Sequence, residues 1–167
     1  MQRIVIIGCT GAGKTLLANE IARRLSLPIV RADQHYKRQG REWTHGELRE
    51  IVKTMSSGER WMIDGMHIGV LAVQIAAADT VVFLDLPTRV CLWGMVKRHL
   101  RYRGAHRPEL GIYDAFSIGF MRWAATFRRH TRPAVLDLLA NADCRVVILR
   151  SRRQAAKFLN ALTLAPS

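Results

Sequence analysis

The sequence predicts a three-layer α/β domain built on a parallel sheet, and three observations carry that prediction. A glycine-rich stretch, residues 8–15, lies between a short β-branched run and a helical pattern. Strand-like and helix-like segments then alternate along the chain, as they do when helices cover both faces of a parallel sheet. Two of the strand-like runs end in aspartate, which places polar side chains beyond the carboxyl edge of the sheet, where such folds hold ligands.

Each element follows from local pattern. Residues 3–7 are β-branched and closed by Gly8, and beyond the glycine turn Leu16, Leu17, Ile21 and Leu25 recur at helical spacing. Residues 28–32 read as a second strand, and a polar, aromatic-bearing stretch over 33–44 leads to a helix over 45–57 that Gly58 ends. Residues 61–63 and 81–84 are buried-type strands with a helix over 70–78 between them. The pattern is helical again over 88–100, whereas residues 102–111, rich in Gly, Arg and Pro, read as a mobile loop. Helices over 115–127 and 134–139, a last strand over 145–149 and a helix over 152–162 complete the chain.

Composition narrows the function classes. A chain of 167 residues with 49% apolar content suits a single domain over 1–167 with one core. The net charge of +13 points to anionic partners, whether nucleotides, nucleic acids or membranes. Three widely spaced cysteines, Cys9, Cys91 and Cys144, fit neither a disulfide framework nor paired zinc ligands, so a cytoplasmic setting is expected. The amino-terminal run leads into a glycine pattern instead of a cleavage site, which argues against export. The most apolar stretch, residues 68–86, contains Gln74, Asp79 and Asp85 and is a poor membrane span.

The decisive motif is Gly8-Cys9-Thr10-Gly11-Ala12-Gly13-Lys14-Thr15, which matches G-x-x-x-x-G-K-[ST] at every fixed position between a strand and a helix. This is a P-loop signature. Its glycines permit backbone turns in which successive N–H groups, those of Thr10 and Ala12 included, converge on phosphates at the positive end of the following helix. Lys14 supplies a point charge for the β- and γ-phosphates, and the Thr15 hydroxyl a ligand for Mg²⁺. Cys9 is expected to be a small buried spacer within the loop.

ATP is the expected nucleotide, with GTP second. A switch GTPase reads guanine through an Asn-Lys-x-Asp element, and none of Asn19, Asn141 and Asn160 precedes a lysine. Motor and transporter ATPases place a glutamate after the strand-end aspartate to activate water; here Asp64 precedes Gly65 and Asp85 precedes Leu86. Transfer to an organic acceptor needs no such glutamate, because positioning and electrostatics dominate phosphoryl transfer. A small-molecule kinase is therefore favoured. Asp64 is the candidate for a metal-bound water, with Asp85 second.

Beyond the P-loop, the segments Ile63-Asp64-Gly65, Phe83-Leu84-Asp85-Leu86-Pro87 and Cys91-Leu92-Trp93 continue into Lys97-Arg98-His99-Leu100-Arg101-Tyr102-Arg103-Gly104 and Arg107-Pro108. With Arg122-Trp123, Arg128-Arg129 and Leu149-Arg150-Ser151-Arg152-Arg153, they give nearly the whole chain a resemblance to the bacterial "DNA topology modulation protein" family. That resemblance implies a fold like adenylate and shikimate kinases: a P-loop NTPase with a five-stranded parallel sheet and an arginine-bearing lid. It also implies that Asp33, after the second strand, faces the acceptor or the metal, and that Asp85 has a structural role at the start of the lid helix. Met66-His67 stands where Asn-Tyr is usual in that family, and no tryptophan follows Tyr36. Both departures lie near the expected acceptor pocket, which His35, Tyr36, Lys37 and Arg38 are candidates to line.

A basic segment completes the reading. Residues 89–132 hold ten Lys/Arg against only Glu109 and Asp114, so they carry +8 of the +13. Residues 98–132 are expected to form a lid-like insertion in which Arg98, Arg101 and Arg128 close on the transferred phosphoryl group. Arg150 and Arg152, after the last strand, are expected to border the adenine. Trp93, Tyr102, Trp123 and Phe127 interleave with the basic residues, which also suits a nucleic-acid groove, so an ATP-regulated or ATP-hydrolysing nucleic-acid protein remains the second reading.

Overall fold

In the computed structural model, residues 1–32, 44–102, 106–107, 112–113 and 118–163 are described. Five strands, β1 (Arg3–Gly8), β2 (Ile29–Arg31), β3 (Trp61–Asp64), β4 (Thr80–Leu84) and β7 (Arg145–Leu149), form one sheet in the order β2-β3-β1-β4-β7. All of its pairings are parallel. Ile4, Val5, Ile6 and Ile7 of the central strand are completely buried, as are Val81, Val82 and Phe83 beside them. Such unbroken apolar runs are what a strand covered on both faces requires. The α/β fold with a five-stranded parallel sheet is as the sequence predicts.

The helices follow in the expected order. Among the described residues they are α1 (Lys14–Leu25), α2 (His45–Met55), α3 (Leu71–Ala77), α4 (Thr88–Tyr102), α5 (Ile118–His130), α6 (Arg132–Ala140) and α7 (Arg152–Thr163). α2 begins with a capping box: Thr44 Oγ1 accepts from the Glu47 amide, and Glu47 Oε2 accepts from the Thr44 amide at 2.9 Å. It ends at Met55, earlier than the glycine at 58 suggests, with the Ser56 amide and hydroxyl closing the last turn on the Val52 carbonyl. A 3₁₀ turn, Ile68–Val70, precedes α3. α5, described from Ile118, runs further than its apolar pattern predicts, and Pro133 sits in the first turn of α6, where its missing N–H costs nothing.

The largest difference lies past α4. That helix continues to Tyr102, and two residues of the stretch read as loop, β5 (His106–Arg107), pair antiparallel with β6 (Ile112–Tyr113). No helix among the described residues is long and apolar enough to cross a membrane.

Sheet register positions the site. β1 lies between β3 and β4, so the loop after Gly8 emerges at the centre of the carboxyl edge, flanked by Asp64 on one side and Leu84 on the other. At the opposite edge Asp79 Oδ2 accepts from the amides of Gln2 and Arg3 at 2.7 and 2.8 Å, tying the entry of β4 to the start of β1.

Candidate functional site

The phosphate loop is built by three glycines in conformations that side chains disfavour. Gly8, Gly11 and Gly13 have φ of 148°, 77° and 95°. The Ala12 amide donates to the Cys9 carbonyl at 3.2 Å, and the helical ladder starts with the Leu17 amide on the Gly13 carbonyl at 3.1 Å. The early amides of α1 therefore point out of the helix toward the loop's concavity, a ready anion site. Lys14 curls over it: Nζ donates to the carbonyls of Gly8 at 3.0 Å and Cys9 at 3.1 Å.

A cavity of about 640 Å³ opens above the loop. Its floor is Thr10 through Leu17 with Asp64; one wall is α4, through Gly94, Lys97, Arg98, Arg101 and Tyr102; the other is α7, through Arg152, Ala155 and Leu159. α7 is fixed there in part by Arg24 of α1, which donates to the Leu159 carbonyl. Thr10, Gly11, Ala12, Gly13, Lys14, Thr15, Asp64, Arg98, Arg101 and Arg152, all singled out from the sequence, thus line one space. Gly8 lies just beneath it at the strand end, where a Cβ would stand 2.8 Å from the Leu84 carbonyl oxygen. Asp33, like His35 to Arg38, lies outside the described residues.

Arg128 and Arg150 are placed elsewhere. Asp85, buried at the start of the connection to α4, holds Arg132 in a two-pronged pair, Nε to Oδ1 and Nη2 to Oδ2, both at 2.8 Å. Arg128 Nη1 donates to Asp85 Oδ1 at 3.2 Å, and Arg150 Nε stands 4.0 Å from Oδ2. Neither is among the residues that line the cavity. Packing explains the turn of Arg128: Ala124 and Phe127 are the buried positions of α5, so the residue after Phe127 faces the sheet edge at Asp85. Asp85 thereby holds α5, α6 and the end of β7 together.

Two features of the site are not evident in the sequence. Arg31, at the end of β2, ion-pairs with Asp64 and donates to Asn19 Oδ1 at 2.7 Å. Gly94, in the interior of α4, meets Gly11 backbone to backbone: a Cβ at 94 would stand 2.1 Å from the Gly11 carbonyl oxygen. A glycine inside an otherwise helical pattern was the available signal.

Cys9 is buried, in keeping with a spacer role; its thiol donates to the Ala124 carbonyl at 4.0 Å, and the Cys91 thiol of α4 donates to the Leu86 carbonyl at 3.9 Å. The Cys91 thiol beside it, then burial, pushes Cys9 far above the ordinary thiol range. The neighbouring Cys9, aided by the charges of Lys14 and Arg128, lowers Cys91.

The donor set fits a nucleotide and its metal. Gly13 has open space where a Cβ would be, and the Thr15 hydroxyl and Asp64 carboxylate on the same cavity are hard oxygen donors of the kind Mg²⁺ takes alongside phosphates and water.

No protein-family model matches the chain, and no curated protein matches it in sequence. Solved structures do match in fold. Shikimate kinase from Acinetobacter baumannii, in complex with shikimate, is similar at a TM-score of 0.62 and 14% identity, over 97% of this chain and 90% of that one. Shikimate kinase from Bacteroides thetaiotaomicron gives 0.58 and 19%, over 96% of each chain. Deoxyadenosine kinase from M. mycoides, with bound dATP, gives 0.52 and 16%, over 95% and 98%. The chain has a kinase-like P-loop fold.

Proposed function

We propose that this protein is a Mg²⁺- and ATP-dependent phosphotransferase that acts on a small acceptor. The observation that carries the reading is the meeting, across one cavity, of the phosphate loop with Arg98 and Arg101 of α4. Anion-binding amides on one side and guanidinium groups on the other are what transfer of a phosphoryl group needs. The three neighbours in fold named above are kinases, which supports the class and leaves the acceptor open.

The chain's own residues divide the work. Gly8, Thr10, Gly11, Ala12 and Gly13 shape the loop whose amides hold phosphate oxygens, and Lys14 exchanges its two carbonyl partners for the outer phosphates. Thr15 and Asp64 would hold the metal. Bound Mg²⁺ would supply positive charge that offsets that of the phosphates. Arg98 and Arg101 would meet the transferred group, Asp33 would face the acceptor, and Arg152 would border the adenine, with Arg150 behind it. On this reading residues 1–167 are one cytoplasmic domain and 98–132 its lid. The resemblance to topology modulation proteins belongs to the same reading, since it too rests on the P-loop and the basic lid. The test is ATP consumption by the purified protein against nucleosides, nucleotides, small alcohols and duplex DNA. Acceptor-dependent ADP formation with a small molecule is the expected result; stimulation by DNA alone would overturn it.

A further inference from the structure

Gly11 and Gly94 lie in different elements, yet no side chain separates them. A Cβ on Gly11 would stand 2.1 Å from the Cys91 carbonyl oxygen and 2.8 Å from Met95 Cγ; one on Gly94 would stand 2.1 Å from the Gly11 carbonyl oxygen. Gly11 needs to be glycine for its own φ of 77°, but Gly94 has no such backbone reason. Glycine is the poorest helix former after proline, and Gly94 sits mid-way along a fifteen-residue helix. Its place there is explained by the approach of the loop. The same stripe of α4 that carries Cys91, Gly94 and Met95 carries Arg98 and Arg101 further on, about 6 and 10 Å along the axis from Gly94.

We propose that Gly94 is a positioning residue: it seats the phosphate loop directly on α4, so that one rigid helix sets both the loop and the arginines that face it across the cavity. An alanine at 94 falls about 1.3 Å short of the 3.4 Å at which ordinary contact begins, so loop and helix must part. A displacement of that size at a phosphate-transfer site is enough to cost about a hundredfold in rate. The consequence for transfer rests on the kinase reading; the seat itself does not.

Two thiols report the seat without nucleotide. Cys9 in the loop is 2% exposed and Cys91 beneath it 0%, while Cys144 is partly exposed on another part of the molecule. Ligand-free protein is treated with iodoacetamide and each cysteine followed by mass spectrometry. In the wild type, Cys9 and Cys91 should both react much more slowly than Cys144, because both lie covered in the seat. In Gly94→Ala both should react about tenfold faster or more, with Cys144 unchanged. The folded variant should also lose about tenfold in Mg²⁺-ATP affinity with little change in melting temperature, which a purely structural role would not produce. Wild-type Cys9 or Cys91 reacting as fast as Cys144 would overturn the seat even if Gly94→Ala does not fold. Unchanged thiol rates in a folded Gly94→Ala would do the same. A wild type that shows no response to Mg²⁺-ATP would defeat the kinase reading, and the thiol rates would still decide the seat.

Discussion

Arg31 and Asp64 are register partners at the carboxyl ends of adjacent strands β2 and β3, and their side chains are joined, Nη1 to Oδ2, at 3.2 Å. The side chains are only 15% and 4% exposed, so this is a buried pair beside the phosphate loop. Removing one member of such a pair leaves the other charge in a poorly solvated place, at a typical cost of about 3 kcal/mol. Arg31→Met should therefore lower stability, by up to about that much, in urea titration at neutral pH. Asp64→Asn should separate structure from metal use: nucleotide alone should still stabilise the variant, and the extra stabilisation from adding Mg²⁺ should disappear. A variant that keeps its full Mg²⁺ increment would remove Asp64 from the metal site.

Lys14 tests the loop itself. Its ammonium has two backbone carbonyls as partners in this structure, both weaker companions than a polyphosphate. A ligand at a hundred times its dissociation constant stabilises the folded state by about 2.7 kcal/mol, which appears as a raised melting temperature. Lys14→Ala should lose most of that rise with Mg²⁺-ATP while melting at nearly the wild-type temperature without it. Equal responses of the two proteins would refute the assignment of the loop.

Asp79 gives a pH signature independent of any ligand. Partial burial pushes its carboxyl upward, but the amides of Gln2 and Arg3 and the Thr80 hydroxyl outweigh this and hold it below the ordinary aspartate value. A depressed folded-state value means that the carboxylate stabilises the fold above the unfolded value of 3.8, and that this contribution fades as pH falls through the folded value. Asp79→Ala should cost about 1 kcal/mol at pH 7, after allowance for its exposure to solvent. The wild-type advantage should shrink below about pH 4. A difference that stays constant from pH 7 to pH 2 would mean that packing, not charge, accounts for it.

The legible parts of this molecule are those whose physics is local. The loop over 8–15 is fixed by which residues tolerate its backbone angles, and the central strands by unbroken apolar runs, so both could be read one segment at a time. The partner of Asp64 could not, because Arg31 reaches it only once β2 is known to lie beside β3. The destination of Arg128 was hidden for the same reason. Spacing places it in a basic segment with Arg98 and Arg101, but the buried face of α5 turns it to Asp85 while α4 aims the other two at the cavity. Gly94 was visible as an oddity inside a helix, yet its reason lies in a loop far away in sequence.

That division of the arginines leads to the sharpest prediction. Arg98 and Arg101 border the cavity, whereas Arg128 is held at Asp85, so single alanine substitutions should fall into two groups. At Arg98 and Arg101 the lost interaction is one made mainly with charge that develops during transfer, so the rate should drop about a hundredfold while ATP affinity changes by only about threefold. At the exposed Arg101 stability should be nearly unaffected. Arg128→Ala should instead lower stability by about 1 kcal/mol, since its side chain is 40% exposed and Arg132 still serves Asp85. Its rate should fall far less than that of the other two. If the segment were a nucleic-acid surface, all three substitutions would weaken duplex binding alike and each would reduce the slope of log K against log salt by about one. The deciding data are transfer rate, ATP affinity, urea stability and duplex affinity at several salt concentrations for the wild type and the three variants. Equal loss of DNA binding in all three, with turnover unchanged, would take the arginines away from the phosphoryl group and give them to a polyanion.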